Sequence, residues 1–544
     1  MADHVPATFA LADVWEAVAA AVPEREALVC GPRRLTYREL EERANRLAHH
    51  LLASGVRPGD HIGLYLTNGT EYVEAFLAAF KIRAVPINVN YRYVADELRY
   101  LLDDADVVGV VFDRALGPRV AAVIDDLADV HTLVGVEDGS GADLGGLDAA
   151  DYEAALEQQS PARDFEPRDP SDHYVLYTGG TTGLPKGVVW RQEDAFFACI
   201  GGGDPMRLEG PVERPDQLLD RVLPEEGALV CLPLAPLMHA AAQWVSMSWL
   251  YAGGKVVLLP GSLDPHRVWR TIAEEGVNLL VVVGDAVARP LLDAWDEAGG
   301  YDVPTLFSIG TGGAPTSLAL KQRIVEALPQ VLLNDGYGSS ETGPQAAERT
   351  APGTKPSSAL PHFDSLDGMA AVLDDDLRPV EPGSGAIGRV AQRGRIPLGY
   401  HNDPEKTAAT FVEVDGVRWV LTGDMATVAD DGSIELIGRG SVCINTGGEK
   451  VFPDEVENVL KGHPAVYDAV VVGVPDDRWG ERLTAVVQAV DEPPTLDQLA
   501  EHCRAHLAGY KVPRGLVLVD EVVRSPVGKA DYRWAKETAE RSRG

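Results

Sequence analysis

The sequence predicts an α/β fold: a large N-terminal domain with mainly parallel sheets, then a small α+β C-terminal domain. Three observations lead there. The chain has 544 residues, beyond the size at which one hydrophobic core stops growing, so at least two domains are expected. Segments of strand character alternate with helical ones over most of the length, as parallel sheets with helical crossovers require. Past Gly438 the texture changes, and the remainder suffices for one small domain.

The elements follow in order. Leu40, Ala44, Leu47 and Leu51 fall at i, i+4, i+7 and i+11, one stripe of a helix. Gly59-Asp60 turns the chain into a short strand at 61–65. A helix over 71–81 and a strand at 84–88 come next. Strand character returns at 107–112, 227–231, 255–259 and 278–283. The stretches 139–172, 201–226 and 344–361 are rich in Gly, Pro, Ser or acidic residues and read as loops. Beyond Gly438 a hairpin joining 434–437 to 442–445 leads to a helix from near Pro453, then strands at 469–474 and 484–490. The expected domains are 1–438 and 439–544.

The formal net charge of −35 argues against nucleic acid or an acidic membrane as partner. The five cysteines are scattered and form no CxxC pair, which fits a reducing compartment. Asp3, Asp13 and Glu16 occupy an N-terminus without a basic, signal-like start. No apolar run approaches the ~18–20 residues needed to cross a bilayer. A cytoplasmic protein without stable membrane insertion is expected, and a homodimer is compatible with the sequence.

The most informative stretch runs from Tyr177 through Thr178, Gly179, Gly180, Thr181, Thr182, Gly183, Leu184 and Pro185 to Lys186 and Gly187. Glycines let the backbone turn tightly and aim N–H groups at an anion. Threonines add hydroxyl donors, and Lys186 adds charge. These are the requirements of a polyphosphate. The spacing is not that of a Walker A loop, which needs Gly-Lys-Ser/Thr. A glycine-rich turn ending in a solvated lysine is the competing reading.

This stretch resembles the phosphate loop of the adenylate-forming superfamily: acyl-CoA synthetases, peptide-synthetase adenylation domains and firefly luciferase. Further motifs stand in that family's order: Pro236 to His239, Gly312-Gly313-Ala314-Pro315, Gly336 to Thr342, Gly399-Tyr400, Thr422-Gly423-Asp424, Gly438-Arg439, Gly447 to Lys450, and Gly528-Lys529. Three positions depart from the usual pattern: Gly180 stands for Ser, Ser340 for Thr, and Ser441 for Asp or Lys.

The resemblance implies roles. Thr178, Gly180, Thr181, Thr182 and Lys186 would hold the β- and γ-phosphates of ATP. Glu341, with Thr181, would bind Mg²⁺. Gly313, Ala314, Pro315, Asp335, Gly336, Tyr337 and Ser340 would surround the adenine side of the nucleotide. Asp424 and Arg439 would meet the ribose. Lys529 would carry adenylation. His239 would border the acid as a gate, with Gln243, Trp244, Gly310, Thr311 and Gly312 lining the acyl pocket. Gly447, Gly448 and Lys450 would face the pantetheine of coenzyme A, and Ser441 would be the hinge between domains.

For the substrate, an amino acid would need a carboxylate opposite its ammonium, and residues 240–246 carry none. Gly310, Thr311, Gly312 and the run Gly201–Gly203 suggest a roomy apolar pocket. Residues 188–194 and 438–442 resemble those of bacterial fatty-acid and steroid side-chain synthetases. The implied enzyme is an AMP-forming acyl-CoA synthetase for a medium- or long-chain, or bulky polycyclic (steroid- or terpenoid-like), acid. The alternatives are an acyl-AMP ligase serving a carrier protein, an aryl-acid CoA ligase, and a catalytically silent binding homologue.

Overall fold

The computed structural model describes residues 5–178, 184–356, 361–446, 449–476, 479–525 and 528–542. Gly180, Thr181, Thr182, Gly447 and Gly448 lie outside them.

The N-terminal helices pack as their patterns dictate. Helix Tyr37–Ala53 starts at Thr36, whose hydroxyl accepts from the Glu39 N–H while Glu39 reciprocates, and it buries Leu40, Ala44, Leu47 and Leu51. It packs on helix Thr70–Lys81, which is buried at every position but Glu71. An eight-stranded sheet runs in the order Gly399–Tyr400, Lys186–Arg191, His173–Thr178, Val85–Asn88, His61–Tyr65, Val107–Asp113, Thr132–Val136, Ala150–Asp151. Its last six strands are parallel. Strand Lys186–Arg191 turns back antiparallel on His173–Thr178, with Thr178 opposite Lys186. The glycine-threonine stretch is thus flanked by two antiparallel strands, unlike a P-loop, which stands between a strand and a helix.

A larger, fourteen-stranded sheet has a parallel centre: Glu26–Cys30, Lys255–Leu258, Val230–Pro233, Leu279–Val282, Ser308–Thr311 and Leu332–Ser339. Short apolar runs such as Leu-Leu-Val-Val suit strands covered on both faces. From Leu332 onward the sheet grows by antiparallel pairing through Gly343–Thr350, His362–Ser365, Ile434–Arg439, Val417–Val428 and Gly388–Arg393. A five-stranded sheet, from Ile444–Thr446 to Gly515–Val519, forms the small domain with helices Pro453–Lys461, Leu496–Arg504 and Tyr532–Arg541.

Four local expectations change. Residues 344–350, expected in a loop, belong to strand Gly343–Thr350, whose Gly, Pro and charged residues mask an inward face of Gln345 and Ala347. The expected loop 139–172 contains helix Tyr152–Glu157, which begins where the Asp151 carboxylate accepts from the Ala154 N–H at 2.9 Å. The expected hairpin of 434–437 with 442–445 does not form: Ile434–Arg439 pairs with Val417–Val428, whereas Ile444–Thr446 pairs with Glu449–Val451 in the small sheet. Gly201, Gly202 and Gly203 do not open a pocket. All three take positive φ, and a Cβ at Gly202 would stand 2.7 Å from Phe197 and Pro211.

Beneath helix Tyr37–Ala53 lies a buried charge network. The fully buried Lys81 ammonium donates to Glu16 at 2.7 Å and Glu41 at 2.9 Å. Glu41 also accepts from Arg163 and the Trp15 indole, each at 2.6 Å. Removing one partner strands the others without solvent. Lys81→Met should cost about 3–5 kcal/mol of N-terminal-domain stability, read as a lowered midpoint of urea unfolding; an unchanged midpoint would mean the carboxylates find other partners.

Candidate active site

The site lies where the two large sheets and the small domain meet. Thr178 ends its strand half-buried, and Lys186 begins the return strand. Lys186 forms an ion pair with Asp403, whose carboxyl it holds below the usual range. Gly187 is required where it stands, since a Cβ would come within 2.7 Å of the Tyr177 ring.

The Gly336–Thr342 segment turns from one antiparallel strand into the next. Gly338 sits so close to its neighbour that a Cβ would lie 2.3 Å from the Gly343 carbonyl. The Ser340 carbonyl accepts from the Trp190 indole at 2.9 Å, tying the turn to the outgoing phosphate-loop strand. Glu341 accepts from the Tyr400 hydroxyl at 2.9 Å. Tyr337 stacks on Phe363 at 5.4 Å and donates to Asp424 at 2.6 Å. Asp424 also meets Arg439 at 3.2 Å, across adjacent strands in register.

Gly313, Ala314 and Pro315 follow strand Ser308–Thr311. Gly313 takes φ +77°, and the Pro315 carbonyl accepts from the Asp285 N–H at 3.3 Å. Asp335 is buried, paired with Lys321 and accepting from Thr311 at 2.6 Å. Its side chain therefore braces two strands. Gly312 has a packing reason too: its Cβ would stand 3.0 Å from the Gly336 carbonyl. Gly310 faces Val281 at ordinary contact distance.

Lys529 reaches this cluster from the small domain. Its loop is tight: Gly528 N–H donates to the Ser525 carbonyl at 2.8 Å, and Arg524 donates to the Gly528 carbonyl at 3.0 Å. Gly528 packs against Ala286, Val283 and Ala314 of the large domain. Burial, with the like charge of Arg439, lowers the Lys529 pKa; Glu341 and Asp424 act against that shift. These four charged groups thus share one electrostatic neighbourhood.

His239 stands at the N-cap position of helix Ala240–Leu250 without a side-chain cap, and its Nε2 is buried with no hydrogen-bond partner among the described residues. Burial, together with Lys529 and Arg92, pushes its pKa down to about 4. It is neutral at physiological pH and suits a gate, not a proton carrier. Gln243 lies deeper. It accepts from Tyr174 at 2.7 Å and donates to Tyr72 and to the Leu237 carbonyl. Trp244 is buried in the same core.

Ser441 is exposed in the short helical turn Gly440–Val442 between the large sheet and the small domain. Lys450 is exposed on strand Glu449–Val451 opposite Asn445, and it is not among the groups gathered around Lys529.

Sequence reasoning missed Asn88. Its buried amide donates to the Tyr177 carbonyl at 2.8 Å and the Met238 carbonyl at 2.7 Å, and accepts from the Tyr177 N–H at 2.8 Å. One side chain thereby fixes strand His173–Thr178 against the turn before helix Ala240–Leu250. Its only signal was a lone amide ending the apolar strand Val85–Asn88.

Residues 15–400 match the AMP-binding enzyme family and residues 455–529 its C-terminal domain. The chain belongs to the AMP-binding enzyme family. It is 48% identical to a 3-oxocholest-4-en-26-oate–CoA ligase of Rhodococcus rhodochrous, over 97% of this chain and 95% of that one. It is 46% identical to a medium/long-chain-fatty-acid–CoA/3-oxocholest-4-en-26-oate–CoA ligase of Mycolicibacterium smegmatis, over 97% and 96%. The crystal structure of the anthranilate CoA ligase AuaEII with anthranoyl-AMP has the same fold, with TM-score 0.83 at 23% identity, covering 100% of this chain and 99% of that one. The adenylate-forming fold, a large N-terminal domain with a small C-terminal one, is therefore that of this family member. Among the described residues no helix is long and apolar enough to cross a membrane.

The electrostatics predict a pH profile. In kcat/KM for ATP, His239 contributes no limb near the ordinary histidine value of 6.5. The alkaline limb, from loss of the Lys529 proton, falls below the ordinary lysine value of 10.5. A limb near neutrality that disappears in His239→Ala would contradict the assignment.

Proposed function

We propose that this enzyme is an acid–thiol ligase that converts a carboxylic acid, ATP and coenzyme A into acyl-CoA, AMP and pyrophosphate. The observation that carries the reading is the electrostatic neighbourhood that Lys529 of the small domain shares with Glu341 and Asp424 of the large one and with Arg439 at the boundary between them. The acid is a medium- or long-chain fatty acid or a steroid side-chain acid, the classes named for the relatives at 45–48% identity.

In the first half-reaction a substrate carboxylate oxygen attacks the α-phosphorus of ATP, and pyrophosphate leaves. The demand is in-line positioning and stabilisation of charge on phosphate oxygens. Thr178, Thr181, Thr182, Lys186 and the backbone at Gly180 hold the terminal phosphates. Tyr337, with Ala314 and Pro315, flanks the adenine, while Asp424 and Arg439 take the ribose. Lys529 supplies positive charge at the reacting phosphate. Glu341 fits magnesium, because a half-buried carboxylate is a hard oxygen donor. With Thr181 it would hold the ion, which would neutralise phosphate charge.

In the second half-reaction the thiol of CoA attacks the acyl carbonyl carbon, its proton is lost, and AMP leaves. We place the domain boundary at 438/439 and the hinge at Ser441, so that rotation withdraws Lys529 and presents Gly447, Gly448 and Lys450 to the thiol. Helix Ala240–Leu250, His239 and the end of strand Ser308–Thr311 border the acid. Placement in the cytoplasm belongs to the same reading.

The test is acid-dependent ATP cleavage to AMP and pyrophosphate across fatty, steroid, terpenoid and aryl acids, with thioester measured when CoA is added. Adenylate without thioester would move the acceptor to a carrier protein; no cleavage with any acid would refute the reading. Lys529→Ala should lower adenylation about 10²–10³-fold and spare thioester formation from supplied acyl-adenylate. Ser441→Pro should do the reverse. Equal loss of both half-reactions in Ser441→Pro would remove the hinge assignment.

A further inference from the structure

Two nucleotide-site residues from different sheets are held by a single short segment, 399–403. Its backbone adds to the outgoing phosphate-loop strand: Gly399 pairs with Val189, Tyr400 with Val188, and the His401 N–H donates to the Gly187 carbonyl at 2.7 Å. The other side of the segment is anchored by His401 on Asp106 at 2.9 Å and Asn402 on the Asp104 carbonyl at 3.0 Å. From this fixed base Tyr400 donates to Glu341 at 2.9 Å, and Asp403 pairs with Lys186.

The two oxygens of Asp403 have separate partners. Oδ1 accepts from the Lys406 N–H at 2.9 Å and caps helix Pro404–Thr410; Oδ2 meets the Lys186 ammonium. The cap and the strand pairing fix the carboxylate in place, whereas a lysine side chain has several rotatable bonds. If Lys186 serves the terminal phosphates, as proposed above, a carboxylate and a triphosphate are rivals for one ammonium.

We propose that Asp403 is a positioning residue that competes with the terminal phosphates of ATP, and with released pyrophosphate, for Lys186. The inference rests on the Lys186 role given under Proposed function. The pair is weak by construction, since the two side chains are 38% and 28% exposed. An exposed ion pair shifts an equilibrium only a few-fold. Asp403 therefore tunes affinity without blocking the site. It holds the lysine while the site is empty and speeds return of the site after pyrophosphate departs.

Asp403→Asn separates the two duties, because asparagine caps a helix about as well as aspartate and carries no charge. The experiment titrates ATP with magnesium, acid omitted, against the full-length enzyme, alongside AMP and pyrophosphate. The expected result is ATP and pyrophosphate binding tighter by about two- to fivefold, with AMP binding and thermal midpoint unchanged. In a Lys186→Ala background the gain should vanish. Asp403→Ser, a second capping residue, should repeat it if the asparagine variant folds poorly. Unchanged or weaker ATP binding in a folded variant, or an equal effect on AMP, would overturn the proposal. Failure of the unmutated enzyme to bind ATP would instead overturn the underlying phosphate-loop reading.

Discussion

The arrangement depends on one interdomain ion pair, Lys461 of the small domain with Asp285 of the large one, at 3.4 Å. Asp285 is held from behind by the Ser317 N–H at 2.7 Å. Lys461 also lies 3.6 Å from Asp468, which grips Arg524 through two contacts of 2.6 Å, and Arg524 in turn holds the Gly528 carbonyl. A chain of charge therefore runs from helix Gly284–Ala298 to the residue beside Lys529. Asn458, accepting from the Leu318 N–H at 3.0 Å, and Arg289 over the Tyr467 ring at 4.9 Å reinforce the same orientation.

An interface of this kind suits alternation. Apolar burial would lock the domains together, whereas paired charges return to water at modest net cost. Burial, then the neighbouring Asp454, raises the Glu457 pKa to about 7, and burial raises that of Asp454. The small domain thus carries acidic groups that burial disfavours in ionised form, close to the basic residues that orient Lys529. The same logic explains how a protein of net charge −35 could hold anionic substrates: Arg439 acts on Lys529, and Lys529 and Arg92 both act on His239, three cations from separated parts of the chain.

The sequence made the motifs legible where backbone geometry or charge is specific. Gly187, Gly313 and Gly338 each answer a close approach or a positive φ. The parallel centre was legible in its apolar runs. Residues that act at a distance in sequence were not. Asn88, Asp403, Asp285 and Lys461 have partners 89 to 217 positions away, and no local pattern announces such a pairing. Strand Gly343–Thr350 was hidden by its polarity. The glycines at 201–203 misled because a missing side chain signals close packing as readily as open space.

The most direct measurement is the rate of each half-reaction in Asp285→Asn. The amide keeps the Ser317 hydrogen bond and removes the charge that holds Lys461. Acyl-adenylate formation from ATP and acid should slow by about tenfold, with thioester formation from supplied acyl-adenylate at the unmutated rate. Adenylation at full rate, or both halves slowed alike, would contradict the claim that this pair sets Lys529 in place.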